Sequence, residues 1–209
     1  MRTLYDYFRS SAAYRVRIAL ALKNLPYERE HVLLLENMQN SQTYKAHNPQ
    51  GLVPALEEDG VTLTQSLAIC EYLDEVYLEP ALLPVDALGR AQVRAMALSI
   101  ACDIHPLNNM RVLRYLTQTF DVTADEKDDW YRHWIDVGFA AFESHLSRTA
   151  GLYCWGDTVS LADVCLVPQV YNARRFQYDM TRYPRIAAIT EQCLSLPAFH
   201  LTSPEQVSS

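Results

Sequence analysis

Residues 3–22 carry the strongest constraint in the chain. Thr3-Leu4-Tyr5-Asp6-Tyr7-Phe8 alternates polar with apolar or aromatic side chains, the period of a strand. From Ala12 onward, Val16, Ala19, Leu20 and Lys23 recur at the spacing of one helical face, with Arg15 and Arg17 beside it. A strand therefore runs straight into a helix through Arg9-Ser10-Ser11. Serine is a favoured N-cap, and the free N–H groups of a first helical turn face outward with the positive end of the dipole. The corner reads either as a simple N-cap or as a seat for an anion, a thiolate or a carboxylate.

The next segments build a sheet around this corner. Lys23-Asn24-Leu25-Pro26 stops the helix, since proline disfavours helical geometry in the residue before it. Tyr27 to Leu33 alternates again, and a right-handed crossover makes this strand parallel to the first. Asn37 to His47 is polar and irregular or briefly helical. In Asn48-Pro49-Gln50-Gly51-Leu52-Val53-Pro54-Ala55-Leu56-Glu57, a proline opens a strand after a glycine turn. This suits an edge or a cis peptide; a cis Val53–Pro54 bond would turn the Val53 backbone toward an extended peptide ligand. Glu58-Asp59-Gly60 is a hairpin turn to Val61–Thr64. Gln65-Ser66 then caps the amphipathic helix Leu67–Tyr77, a second anion-friendly N-terminus. The order β-α-β, link, β-β, α is thioredoxin-like, a fold that hosts many functions.

Leu78 to Asp86, with Pro80 and Pro84, reads as a linker, so we expect an α/β thioredoxin-like domain over 1–80 and an all-α domain over 86–209. In the second, Leu88 to Leu116 is a long helical pattern, broken or bent near Pro106. His105 and Asn109, four apart, share a side of it; for His105 a structural and a functional role stand side by side. Thr123-Ala124-Asp125-Glu126 resembles a capping box before a helix over 127–149, and Ser160-Leu161-Ala162-Asp163 is another before Val164–Tyr171. Arg174-Arg175 closes that helix, either complementing its dipole or holding a carboxylate. A last helix starts at Tyr183-Pro184, and 203–209 is expected to be a loose tail.

Composition excludes several classes. A formal net charge of −7 argues against a nucleic-acid footprint, although Arg15, Arg17, Arg174 and Arg175 remain candidates for binding small anions. Hydrophobic content of 49% with 21% charged residues is that of a folded domain. The five cysteines (Cys70, Cys102, Cys154, Cys165 and Cys193) are widely spaced without a zinc pattern, and are read as reduced, mostly buried thiols. The start lacks the apolar core of a signal peptide, and no apolar run approaches the ~20 residues of a membrane span. A cytoplasmic location is the expectation.

Taken together, Ser10-Ser11 before Arg15-Val16-Arg17-Ile18-Ala19-Leu20, Asn48 to Pro54, Gln65-Ser66, Cys102-Asp103-Ile104-His105-Pro106-Leu107-Asn108-Asn109, Gly156 to Asp163 and Val167 to Phe176 resemble the zeta-class glutathione transferases. That class includes the maleylacetoacetate and maleylpyruvate isomerases. The likeness covers nearly the whole chain in order. It implies the glutathione transferase fold, glutathione as cofactor and a homodimer. By motif match, Ser11 or Ser10 would assist the glutathione thiolate, with Arg9 beside them. Gln39, Val53, Gln65, Ser66, His105 and Asn109 would hold the tripeptide, Val53 by backbone and Ser66 at the γ-glutamyl carboxylate. The resemblance also makes Asp163 a folding element rather than an acid catalyst. One departure stands out: many members read Ser-Ser-Cys at the corner, where this chain has Ala12, so the reacting sulfur must come from the cofactor.

The implied reaction is cis–trans isomerisation of a maleyl-type diketo diacid: thiolate addition to the double bond, rotation, and elimination. Two anionic substrate ends beside an anionic sulfur require cations. Arg9, Arg111 and Arg175 are the candidates, with Arg174 as the substitute for Arg175. Maleylacetoacetate, an intermediate of tyrosine and phenylalanine breakdown, is the favoured substrate and maleylpyruvate the alternative. A broader transferase acting on halogenated acids, and a non-catalytic binding protein on the same fold, are the competing readings. Retention of Ser10, Ser11, Gln65 and Ser66 disfavours the last.

Overall fold

The computed structural model describes residues 1–208. Contacts divide the described chain into two units, Met1–Leu82 together with the segment from Ser195 onward, and Leu83–Leu194. This places the chain end with the first unit rather than with 86–194, and the physical reason is a set of bonds to α1 and β2 given below.

The first unit is a four-stranded mixed sheet in the order β2-β1-β3-β4. Strand β1 (Arg2–Asp6) pairs in parallel with β2 (Glu28–His31) and antiparallel with β3 (Ala55–Glu58), which pairs antiparallel with β4 (Val61–Thr64). Alternation along β1 sends Leu4 and Asp6, both without solvent exposure, to one face, and Tyr5 to the other. On the Leu4 face lies α1 (Ser11–Leu22), which packs against α3 (Ser66–Val76). On the Tyr5 face, α2 (Gln42–His47) brings Tyr44 and His47 against the Tyr5 ring.

Register fixes where the helices begin. Tyr5 is opposite Ala55, and Ala55 is opposite Thr64, so the ends of β1 and β4 lie at the same level of the sheet. Helices α1 and α3 therefore spring from the same sheet end, as the sequence predicts for this topology.

Helix α1 is buried almost throughout, including Arg15 and Arg17. Arg17 Nη1 donates to both Asp6 carboxylate oxygens at 2.8 Å, Nη2 to Phe8 O and Nε to Thr202 O. Arg29 adds a bond from Nε to Asp6 Oδ2 (3.0 Å) and another from Nη1 to Val207 O (2.9 Å). Tyr14 Oη donates to Phe199 O in the short helix α9 (Pro197–His200). Phe199 and Thr202 are thus tied to α1, and within the expected loose tail, 203–209, Val207 is tied to Arg29; Ser209 lies outside the described residues. Arg17, a candidate for small anions, is consumed by this network. At the other end of α1, buried Lys23 donates to Asp74 Oδ1 (2.7 Å) and to the Tyr77 and Pro80 carbonyls.

The second unit is all-helical: α4 (Ala87–Leu98), α5 (Met110–Thr119), α6 (Ala124–Thr149), α7 (Leu161–Arg175) and α8 (Pro184–Leu194). Of the break or bend expected near Pro106 in the pattern across 88–116, the break is what forms. Pro106 has no N–H to continue the ladder, and its ring crowds the preceding turn. The chain responds with a π-helical turn at Ser99–Ile104, where His105 N–H reaches back to Ile100 O (2.9 Å), and restarts at Asn109 as the N-cap of α5. His105 and Asn109 consequently flank a turn, not one helical face.

Both predicted capping boxes form. Thr123 and Glu126 bond reciprocally and set the start of α6 at Ala124, three residues before the expected 127. Asp163, without exposure, accepts from Ser160 N, Ser160 Oγ and Cys154 N, each at 2.8 Å. Burial pushes its carboxyl up while these bonds pull it down. Its place, sealed under α7, is that of a folding element. Glu143 of α6 caps α8 through the N–H groups of Arg185 and Ile186, both at 3.0 Å. Among the described residues no helix is long and apolar enough to cross a membrane, and all five cysteines are free, only Cys102 being exposed.

Asp136 of α6 gathers three groups from the following segment: Tyr178 Oη, Tyr183 Oη (2.8 Å) and Arg182. The Tyr178 hydrogen bond, then that of Tyr183 and the nearby Arg182, hold its carboxyl below the usual range. A depressed carboxylate contributes stability above its unfolded value, about 3.9, and loses it as pH falls through the folded value. Solvent screening limits the contribution to about 1 kcal/mol or less. Asp136→Asn should accordingly lower the melting temperature at pH 7 by roughly 2–4 °C. The difference from the parent should shrink as pH falls below about 3.9 and on through the depressed folded value of Asp136; thermal unfolding across pH checks this.

Candidate active site

In the first unit the β1–α1 corner separates its two serines. Ser10 is the N-cap: its Oγ accepts from Ala13 N (3.2 Å), and its own N–H donates to Tyr7 O (2.8 Å). Ser11 is the first helical residue, with its side chain inside the corner and only 3% exposed. Ser10 thus does the structural work of a cap, and Ser11 sits where the dipole of α1 is most positive. Arg9 precedes them on the surface, its guanidinium over the Phe8 ring at 5.0 Å.

The second N-terminus is built differently. Gln65 precedes α3 at φ 68°, a region that costs a non-glycine residue on the order of 1–3 kcal/mol. Its side chain does not cap α3; Gln65 Nε2 instead donates to Gln50 Oε1 (2.8 Å). The first-turn N–H groups of α3 therefore receive no cap from Gln65, which suits an anion. Ser66, the first residue of α3 and buried, accepts from Arg15 Nη1 at 3.2 Å.

The segment leading to β3 is held from below. Tyr44 Oη and Asn48 Nδ2 both donate to Leu52 O (2.6 and 2.7 Å), and Asn48 Oδ1 accepts from Gln50 N (3.1 Å). The Val53–Pro54 bond is cis. Gly51, at φ +64°, lies so close to Gln39 that a Cβ would stand 2.9 Å from Gln39 O. Only glycine combines that torsion with that approach. Gln39 itself is buried, with Nε2 on Asn37 Oδ1 (3.2 Å) and Oε1 without a partner.

The first unit thereby links Gln39, the 50–53 segment, Gln65 and Ser66 in one continuous set, and opens Ser11 and Ser66 from one sheet end. Tyr44, Asn48, Gln50 and Gly51 belong to this set without having been singled out as site residues, and Arg15 was named only as a candidate for binding small anions. The sequence held one usable signal: two charged residues, Arg15 and Arg17, within a helix that is otherwise mostly apolar.

The remaining candidates lie in the second unit. Asn109 Oδ1 caps Arg111 N (3.0 Å), while Asn109 Nδ2 and His105 Nε2 are 3.5 Å apart. Arg111 and Arg175 are exposed. Arg174 is engaged by Glu191 of α8 (2.6 Å), which leaves Arg175 the better carboxylate ligand of the two.

Residues 9–76 match the family model described as glutathione S-transferase, N-terminal domain. A probable maleylacetoacetate isomerase of Vibrio cholerae is 53% identical over 97% of this chain and 95% of its own length. Among solved structures, the holo form of a maleylpyruvate isomerase, described as a bacterial zeta-class glutathione S-transferase, superposes with a TM-score of 0.96 at 48% identity, covering 98% of this chain and 97% of that one. A maleylacetoacetate isomerase from Anaeromyxobacter dehalogenans, solved with glutathione in its active site, gives 0.89 at 44% identity, covering 99% and 96%. With these identities along almost its full length, the chain belongs to the zeta-class glutathione transferases, in the group that holds the maleylacetoacetate and maleylpyruvate isomerases.

Proposed function

We propose that the protein is a glutathione-dependent cis–trans isomerase that converts maleylacetoacetate to fumarylacetoacetate. The observation that carries the reading is the pair of serine-headed helix N-termini, Ser11 of α1 and Ser66 of α3, opening from one end of the sheet in a member of this family. Glutathione brings both a thiol and carboxylates, and the residues present fit it. The buried donors Arg15 Nε and Nη2 and the buried acceptor Gln39 Oε1 have no protein partner, and Gln65 leaves α3 uncapped. When bound, glutathione supplies a thiolate that adds reversibly to the cis double bond, so that the carbon–carbon bond can turn before the sulfur leaves.

The chain's own residues have separate tasks in this reading. Ser11 donates its hydroxyl hydrogen toward the sulfur, and the α1 dipole favours the ionised form; a free thiol with a pKa of about 8.5 is mostly protonated at neutral pH. Ser10 keeps the corner in shape by capping. Ser66 and the first turn of α3 take the γ-glutamyl carboxylate, the Val53 backbone aligns the peptide, and Gln39 and Gln65 complete the tripeptide's polar contacts. His105 and Asn109 are assigned to the cofactor as well. Arg9, Arg111 and Arg175 hold the substrate carboxylates and the enolate oxygen, a task for which a planar guanidinium fork is suited. No protein thiol takes part, since the corner holds Ala12.

Maleylpyruvate is the second reading, favoured by the 0.96 TM-score to a maleylpyruvate isomerase. The two substrates differ by about one methylene, which a pocket discriminates by only about 1–3 kcal/mol. We also propose a cytoplasmic homodimer, on family membership; light scattering should return twice the 23.9 kDa chain mass, and a single-chain mass would refute it.

Turnover of each substrate, followed with total thiol, tests the assignment: isomerisation without loss of glutathione is expected, and stoichiometric consumption would make the protein a conjugating transferase. Ser11→Ala should lower kcat by roughly a hundredfold, the order seen for loss of one oxyanion donor. Ser10→Ala should cost about 1 kcal/mol of stability with most activity kept. Arg175→Ala should raise KM for the diacid and leave glutathione affinity unchanged; equal losses would remove it from the substrate clamp.

A further inference from the structure

The first unit buries three cations in or at the end of α1, and two of them are neutralised. Arg17 has the Asp6 carboxylate on both oxygens, and Lys23 has Asp74 with two carbonyls. Arg15 is different. Its residue is 1% exposed, yet only Nη1 has a partner, the Ser66 hydroxyl at 3.2 Å, while Nε and Nη2 have none. No carboxylate among the described residues forms an ion pair with it. A buried guanidinium costs several kcal/mol to desolvate, about the scale on which single residues decide whether a domain folds. Such a cost persists where something other than the fold makes use of the charge.

The position of the one bond indicates the use. Ser66 is the first residue of α3, whose N-terminus Gln65 leaves uncapped. A hydroxyl that accepts from a guanidinium keeps its own hydrogen to donate. The bond from Arg15 therefore turns Ser66 into a donor directed away from Arg15, and strengthens it by polarisation. Helix N–H groups, an oriented hydroxyl and an unneutralised buried cation behind them together form a site for one anionic group.

We infer that Arg15 is the buried counter-charge of this site, acting through Ser66 to select a ligand carboxylate at the N-terminus of α3. The inference rests on the glutathione reading above, in which that group is the γ-glutamyl α-carboxylate. Arg15 is a positioning residue: it acts on the ligand through Ser66 and not on the reacting sulfur. The missing partner of Arg15 in the folded chain is thus supplied by the cofactor, which places the neutralisation of this charge in the binding step instead of in folding.

The test compares glutathione with γ-aminobutyryl-cysteinylglycine, which lacks only that carboxylate, by calorimetric titration of the parent, Arg15→Met and Ser66→Ala. The parent should bind glutathione more tightly than the analogue by roughly tenfold to a hundredfold, the range of hydrogen bonds to a charged group. In Arg15→Met that preference should fall to within about threefold, chiefly through weaker glutathione binding, and Ser66→Ala should lose most of it with Arg15 in place. Thermal unfolding without ligand provides the readout that a merely structural role would not share. Arg15→Met should melt at or above the parent temperature, because an uncompensated buried charge is replaced by an apolar chain of similar length. An Arg15→Met protein that is unfolded or much less stable, or one that keeps the parent's preference for glutathione, overturns the inference. A parent that binds neither tripeptide overturns the glutathione reading itself.

Discussion

The Asp6–Arg17 ion pair is the interaction on which the rest of the first unit depends. Both side chains are completely buried, and the guanidinium grips both carboxylate oxygens at 2.8 Å. Pairing alone would not repay desolvation of the two charges, but all three guanidinium nitrogens of Arg17 and both Asp6 oxygens have partners. Arg29 gives the carboxylate a second guanidinium, and Arg17 spends its other N–H groups on Phe8 O and Thr202 O. One charge cluster therefore fastens β1, β2, α1, the turn before Ser10 and the chain end. Removing Asp6 would leave the buried Arg17 charged and without its carboxylate, which costs about 3–5 kcal/mol. The turn held at Phe8 is the one that delivers Ser10 to its capping position and Ser11 to the first helical turn.

Arg15 and Arg17 show how neighbouring residues of one type are divided between fold and function. They lie two apart on the same helix, and neither reaches solvent. Arg17 is satisfied by the fold, so it stabilises and rigidifies. Arg15 is left with two partnerless nitrogens, Nε and Nη2, beside an uncapped helix start, so it remains available to a ligand. Strain follows the same division: Gln65 adopts φ 68° where the chain turns into α3, and Gly51 makes the closest backbone approach where Gln39 meets the 50–53 segment. Both positions belong to the site's own segments, whereas Asp163, Glu143 and Lys23 seal helix ends and element junctions elsewhere.

Much of this was legible in the residues. Alternation in 3–8, the Asp-Gly hairpin at 59–60 and the caps at Ser10, Thr123 and Ser160 are local signals, and each names an element or its boundary. Elements governed by partners distant in sequence were less visible. Nothing in residues 202–208 announces that Thr202 and Val207 will be bonded by arginines nearly the length of the chain away. The pattern across Pro106 was read as broken or bent because proline kinks and proline breaks share a sequence pattern; the π-helical escape through Ile100 depends on packing within the second unit. At the site, serines and glutamines carried by the family motifs were identifiable, and the role of Arg15 was not, because charge within an apolar helix reveals its partner only in three dimensions.

The central claim is that this scaffold, with no thiol of its own at the corner, stabilises a thiolate brought by the cofactor. The most direct measurement is a pH titration of thiolate absorbance for glutathione bound to the protein, against free glutathione. The account predicts ionisation at least about one unit below the free thiol's value near 8.5, with the shift largely lost in Ser11→Ala. An unshifted thiol in the complex, or a full shift retained without the Ser11 hydroxyl, would contradict it.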